Sequence, residues 1–308
     1  AQFELGGMYS AGHGVPQSNT EAIKWLTRSA ERGNVDAQYS LGTQYNYGWL
    51  IKENKEEAVK WYKKAAEQGH IEAQNKLGEI YSLGLGVQKD TKEAAKWYQK
   101  AAIQGHPDAQ YSLGLMYLSG EGTNKDDVEG SKWIKAAAEQ GHGYAQEMIG
   151  FIYYYGWGVQ QDYKEAAKWY RMAADQGYAY AQAALGANYV LGQGVPKDYV
   201  EAYMWLNLSA AEGNTEASKL RDLISKKMTL DQIAEAQKLS SVWINNKSQK
   251  EADNYSIPSE ITSLPILTIG SGFAVSSDGF IVTANHVVAG AISIRVHQGI
   301  KTLNAKLI

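Results

Sequence analysis

Residues 73–105, AQNKLGEIYSLGLGVQKDTKEAAKWYQKAAIQG, decide the fold, because the same pattern returns every 36 residues along the chain. Trp97 belongs to a ladder of Trp25, Trp61, Trp97, Trp133, Trp169 and Trp205, and Tyr81 to a ladder of Tyr9, Tyr45, Tyr81, Tyr117, Tyr153 and Tyr189. Glycine recurs in four further series, Gly6 to Gly186, Gly12 to Gly192, Gly14 to Gly194 with Leu50 as its gap, and Gly33 to Gly213. Together these take 23 of the 31 glycines, so glycine here marks repeat geometry and not a phosphate loop or disorder.

Each unit reads as two helices. In the second unit Ala37, Leu41 and Tyr45 fall on one face of a first helix that ends at Gly48. Ala58, Trp61, Tyr62 and Ala65 form the apolar stripe of a second helix, which Gly69 closes. A glycine inside a helix costs about 1 kcal/mol relative to alanine. The return of Gly42 at Gly6, Gly78, Gly114, Gly150 and Gly186 therefore implies a neighbouring helix too close for a side chain.

Ser18, Asn54, Asp90, Asp126, Asp162 and Asp198 precede Glu21, Glu57, Glu93, Glu129, Glu165 and Glu201 by three residues, the spacing of a capping box. A pair such as Asp90 and Glu93 could be a general acid and base in isolation. Six copies along an array cannot converge on one substrate, which favours caps. His70, His106 and His142 share one repeat position just past the closing glycine, and repeat spacing keeps them from sharing a metal. They read as turn residues, and no metal or cofactor site is expected.

The pattern A-Q-x-x-L-G-x-x-Y-x-x-G-x-G-V followed by E-A-x-K-W-Y-x-x-A-A-x-x-G resembles the Sel-one-like repeat family, relatives of tetratricopeptide repeats, over residues 1 to about 214. Unit two departs from it at Leu50 to Asn54 and unit four at Gly130. The resemblance implies a scaffold that binds proteins or peptides. The residues the signature leaves free point to where: Tyr39, Tyr111, Phe151, Tyr154 and Tyr155 on the far arc of first helices, Tyr47 near a helix end, and Trp49 and Trp157 in the following turns. Such aromatics either anchor a partner or pack against the next repeat.

Composition narrows the functional classes. The 308 residues carry a net charge of −3, which gives no basic footprint for nucleic acid. The absence of cysteine excludes disulfides, thiolate zinc sites and cysteine nucleophiles. No apolar run reaches the ~20 residues of a membrane-spanning helix. The chain begins inside its first repeat, so its natural N-terminus is expected upstream of Ala1.

Past residue 214 the pattern dissolves. Ser218 to Lys227 reads as a helix, and Thr229-Leu-Asp-Gln232 as a capping box opening another that runs to about Asn245. Residues 215–245 thus form a terminal cap for the array. Residues 246–264, polar and broken by Pro258, read as a linker. From residue 265 onward β-branched runs alternate with turn signals, Ser276-Ser-Asp-Gly279 marking a hairpin.

The order G-S-G-F, V-S-S-D-G-F-I-V-T-A-N-H-V-V, G-A-I-S-I-R-V and A-K-L-I resembles the opening of a trypsin-like serine protease domain of the high-temperature-requirement branch, over about 43 residues. The resemblance makes His286 the triad base, which would take the serine proton during attack on a peptide carbonyl and return it to the leaving amine. It places the triad aspartate and serine beyond Ile308, so residues 1–308 alone are expected not to cleave peptides. It also tilts the expected compartment toward a bacterial periplasm.

These observations predict a mainly α protein: a right-handed α-solenoid of helix-turn-helix repeats followed by the first strands of a truncated all-β trypsin-like barrel. The expected function is a protein- or peptide-binding scaffold attached to a serine endopeptidase acting on polypeptide substrates. The alternative is a non-enzymatic adaptor with a degenerate protease-like segment.

Overall fold

The structure, a computed structural model, describes residues 1–254, with side chains to residue 250, and thereafter the backbone of five strands. Residues Leu26–Ser240 form one compact unit; Ala1–Trp25 and Ser241–Ile308 are grouped as a second.

The repeats are helix pairs. First helices are α1 (Gln2–Ala11), α3 (Val35–Tyr47), α5 (Ile71–Leu83), α7 (Pro107–Ser119), α9 (Gly143–Tyr155) and α11 (Ala179–Leu191). Second helices are α2 (Asn19–Glu31), α4 (Lys55–Glu67), α6 (Thr91–Ile103), α8 (Asp127–Glu139), α10 (Tyr163–Asp175) and α12 (Tyr199–Ala211). With α13 (Thr215–Ser225) and α14 (Leu230–Asn254) they make a helical repeat solenoid.

The stripe predicted for α4 is buried as expected, and the tryptophans join one repeat to the next. Trp97 of α6 packs with Ala58, Tyr62 and Ala65 of α4 and Leu77 of α5; Trp169 of α10 packs with Ile134 and Ala138 of α8 and Ile149 of α9. Burial of a side chain this large is worth about 3–5 kcal/mol against alanine, which makes each joint a main source of array stability. The helix glycines allow the close approach that their recurrence predicts. A Cβ on Gly78 would stand 2.5 Å from the Tyr98 ring, and one on Gly42 2.7 Å from Tyr62.

A second ladder is polar. Gln38, Gln74, Gln110, Gln146 and Gln182 are buried, and each donates through Nε2 to a carbonyl closing the preceding second helix, as Gln74 does to Ala66 at 3.0 Å. Four of them accept through Oε1 from a glutamine at the end of the following second helix. The pairs are Gln68 to Gln38, Gln104 to Gln74, Gln140 to Gln110 and Gln176 to Gln146, all at 2.7 Å. The fifth rung fails because Glu212 occupies the donor position and an ionised carboxylate cannot donate, which leaves Gln182 Oε1 buried without a partner.

The helix caps differ from the predicted capping boxes in one half. Asn54 Oδ1 accepts from the Glu57 N–H at 3.0 Å and Asp90 Oδ1 from Glu93 at 3.0 Å, as the spacing requires. The glutamates do not reach back. The cap residue's own N–H donates instead to the carbonyl of the repeat tyrosine, Asn54 to Tyr45 at 2.8 Å and Asp90 to Tyr81 at 2.9 Å. In the first five repeats the freed glutamate pairs with a lysine one turn on, as in Glu57 with Lys60 and Glu93 with Lys96, both at 2.8 Å, whereas Glu201 accepts from Trp205 Nε1 at 3.0 Å. Among the described residues the full reciprocal box forms just past the repeats, where Thr229 N–H donates to Gln232 Oε1 at 2.9 Å and Gln232 N–H to Thr229 Oγ1 at 3.2 Å.

Beyond the repeats, Ala217, Ile224 and Ala236 are buried with Ala202 and Leu206 of α12. Helix α14 continues to Asn254, into the stretch expected to be linker, since residues 246–254 hold no proline or glycine to stop it. Residues 255–264, with Pro258, and the Ser276–Gly279 turn lie outside the described residues. The strands β1 (Leu267–Ile269), β2 (Phe273–Val275), β3 (Ile281–Val288), β4 (Ala291–Gln298) and β5 (Lys301–Leu307) pair in chain order, all antiparallel.

Candidate protein-binding surfaces

The eight aromatic residues singled out in the sequence fall into two structural groups. Tyr39 and Tyr111 are half-buried and stack on the histidines that cap the next first helix, Tyr39 on His70 at 4.5 Å between ring centroids and Tyr111 on His142 at 4.9 Å. They serve the joint between repeats. Burial raises the pKa of both phenols, with a further push from Glu72 for Tyr39 and Glu147 for Tyr111.

The histidines they meet are more than turn residues. His70, His106 and His142 each cap a first helix, Nδ1 accepting from the N–H of Ala73, Ala109 and Ala145 at 3.2, 3.3 and 3.0 Å. Nδ1 must be unprotonated to do so, which puts the proton on Nε2. Nε2 faces a carboxylate of the previous repeat: Asp36 at 3.7 Å, Glu72 at 3.1 Å and Asp108 at 3.1 Å. Burial lowers the His70 pKa, against the opposing pull of Asp36 and Glu72.

The other six aromatics lie at the opposite ends of the first helices, where the chain turns through a left-handed glycine such as Gly48 or Gly156. Tyr47 and Trp49 stack nearly parallel at 4.9 Å and are 48% and 54% exposed. Tyr155 and Trp157 occupy the same two repeat positions three units on and are 54% and 46% exposed. Phe151 packs against both at 4.5 and 4.9 Å, and Tyr154 lies 4.9 Å from Tyr155. Tyr154 also donates to Gln193 at 2.7 Å and meets Tyr163 at 5.1 Å. Tyr163 lines an adjoining groove of about 530 Å³, together with Lys164, Gly194, Val195 and Pro196.

The same two repeat positions hold exposed residues that sequence reasoning passed over: Leu83, Leu85 and Leu191. Their signal was positional, since they align with Tyr47, Trp49 and Tyr155. His286 lies in β3, where the pairing register with β4 shifts between Ala284 and Val287; its side chain is outside the described residues. Among the described residues no group of three or more potential metal ligands occurs, and no helix is long and apolar enough to cross a membrane.

Paired 13-residue helices with an alanine-rich core, glycine contacts and a glutamine ladder define an α-solenoid of helix-turn-helix repeats. The chain belongs to the Sel1 repeat family, whose model matches six successive units at residues 1–34, 35–70, 71–106, 107–142, 143–178 and 179–214. Among solved structures it resembles c5321, a protective antigen present in uropathogenic Escherichia coli strains displaying an SLR fold, at 33% identity and a TM-score of 0.70, over 82% of this chain and 54% of that one. It also resembles a Sel1 repeat protein from Oxalobacter formigenes at 37% identity and a TM-score of 0.61, over 72% of this chain and 64% of that one. The chain thus spans less than two thirds of either relative. No curated protein matches it.

Proposed function

We propose that the chain is a non-enzymatic adaptor that binds a protein or peptide partner along the ridge formed by the ends of its first helices. The observation that carries this reading is exposure of large apolar side chains at the same two repeat positions: Tyr47 with Trp49, Leu83 with Leu85, and Tyr155 with Trp157. Rigid aromatic anchors of this kind supply much of the energy of protein interfaces, about 2 kcal/mol or more each when buried by a partner. The groove beside Tyr163 offers room for a side chain or turn of the partner.

The test compares the chain with a Tyr47→Ala/Trp49→Ala variant and a Tyr155→Ala/Trp157→Ala variant as baits in an extract of the native host. The adaptor reading expects a discrete partner retained by the native chain and lost from at least one variant, with helicity by circular dichroism unchanged. An identical set of partners on all three baits refutes it.

A second reading keeps His286 as the base of a trypsin-like endopeptidase to which the repeats deliver polypeptide substrate. It is supported by the antiparallel strands β2 to β4 and by the sequence around His286. The match to known proteins covers the repeats and carries the scaffold alone. Equal turnover of an unfolded protein by the full-length protein and its His286→Ala variant would remove His286 from any catalytic role.

A further inference from the structure

A second surface, separate from the ridge, gathers at the start of α11, and it originates in one changed residue. The residue preceding each first helix normally caps it: Asn34, His70, His106, His142 and Asn214 each accept the backbone N–H three residues on. Tyr178 occupies that position before α11 and makes no such bond. The Ala181 N–H is taken instead by Glu147 Oε2 at 3.1 Å, reaching across from α9 of the previous repeat. The Tyr178 ring lies over Gly143, where a Cβ would come within 1.9 Å of it, and stands edge-on to Tyr144 at 4.7 Å. Tyr144, 58% exposed, lies 6.5 Å from Tyr111.

Glu147 is therefore a half-buried carboxylate held at the start of α11, where it bonds the N–H three residues past Tyr178. Burial raises its pKa, and its charge in turn raises those of Tyr111 and Tyr178. Among the described residues no cation pairs with it. The sequences of α7, α9 and α11 contain no lysine or arginine. Over α3 to α11 the first helices carry Asp36, Glu72, Glu79, Asp108 and Glu147 against Lys76 alone, and Lys76 is held by Glu79 at 2.5 Å. The second helices α4, α6, α8 and α10 hold lysines in every repeat. The first-helix side is thus acidic and aromatic over several repeats.

We propose that Glu147, Tyr144 and Tyr178 form a subsite for the basic side chain of a partner polypeptide. A lysine or arginine placed there gains a charge-assisted hydrogen bond to the carboxylate and the faces of electron-rich rings. A polypeptide suits the site better than a small cation because Glu72 and Asp108, exposed although each also meets a histidine Nε2, continue along neighbouring first helices, where further basic residues of the same segment would meet them.

The test is calorimetric titration of the full chain with an acetylated pentalysine amide, with the same peptide acetylated on every side chain, and with lysine amide. Glu147→Gln keeps an acceptor for the Ala181 N–H while removing the charge. It is expected to weaken pentalysine binding about tenfold, as the loss of a partly desolvated charge contact should. Tyr144→Ala, at an exposed position, should also weaken it, whereas Glu139→Gln, on the second helix α8, should leave it within about twofold. Three results would each overturn the assignment: no binding of pentalysine by the native chain, equal effects of Glu147→Gln and Glu139→Gln, or binding of lysine amide or the fully acetylated peptide as tight as that of pentalysine.

Discussion

Replacing Glu212 by glutamine should stabilise the array. Four rungs of the buried ladder close with a glutamine-to-glutamine bond of 2.7 Å, and the fifth leaves Gln182 Oε1, in a side chain only 1% exposed, without a donor. A glutamine at 212 supplies the missing amide hydrogen. The net gain for one such bond is about 1 kcal/mol, and the relief of an orphaned buried acceptor can add about as much again. Removing a negative charge at the end of α12 also helps, by about 0.3–1 kcal/mol through the helix dipole. Glu139→Gln at the end of α8 measures that second effect alone, because its ladder donor Gln140 is already in place. Urea unfolding followed by circular dichroism should show Glu212→Gln more stabilising than Glu139→Gln by about 1 kcal/mol, equivalent to about 2–4 °C in Tm. The reverse change, Gln104→Glu, sets a carboxylate against Gln74 Oε1 and should cost about 1–3 kcal/mol. Equal effects of Glu212→Gln and Glu139→Gln, or a neutral Gln104→Glu, would show that the ladder does not bear on stability.

Two further outcomes follow from the same geometry. Gly78→Ala drives a methyl to 2.5 Å from the Tyr98 ring and should destabilise by about 1–3 kcal/mol in urea unfolding, whereas Gly7→Ala, with open space around its Cβ, should be neutral or stabilising by up to about 1 kcal/mol. The lowered pKa of His70 means that the unfolded chain binds its proton more readily, so the stability that the neutral cap provides is full above the unfolded value of 6.5 and is lost as pH falls below it. Native protein should therefore lose more stability than His70→Asn between about pH 7.5 and about pH 5.5, and equal losses would show that the imidazole cap contributes nothing.

The parts of the fold that were legible in the sequence are those set by period. Trp97, Tyr81 and Gly78 return at fixed intervals because each makes the same contact in each repeat, and the close approach at Gly78 could be inferred from the cost of glycine in a helix. What was misread are choices between partners at equal spacing. Glu57 stands three residues after Asn54 whether it caps the helix or pairs with Lys60, and the winning partner for the Asn54 N–H is the Tyr45 carbonyl across the intervening turn. Gln74 and Gln104 are 30 residues apart, and no local pattern announces that they bond. A helical wheel places Tyr39 and Tyr155 alike on the free arc of a first helix. Only the position of His70, capping the next first helix, makes the first a joint residue, while the second stays exposed.

The two candidate surfaces share a logic. Positions that read the same in nearly every unit, such as the glutamines and the N-terminal caps of the second helices, spend their hydrogen bonds inside the array and have little left for a partner. In the proposed adaptor, binding capacity then lies where units differ. Tyr47 and Trp49 stand where unit four has Ser119 and Glu121, and the latter is held by Lys89 at 3.1 Å. Tyr178 stands where three other units have a capping histidine, and its failure to cap is offset by Glu147 from the repeat before. That exchange satisfies the helix start with a half-buried carboxylate, one oxygen committed to a backbone N–H and, among the described residues, no cation paired with it. A single departure from the repeat pattern thus preserves the scaffold and supplies it with chemistry that the regular units lack.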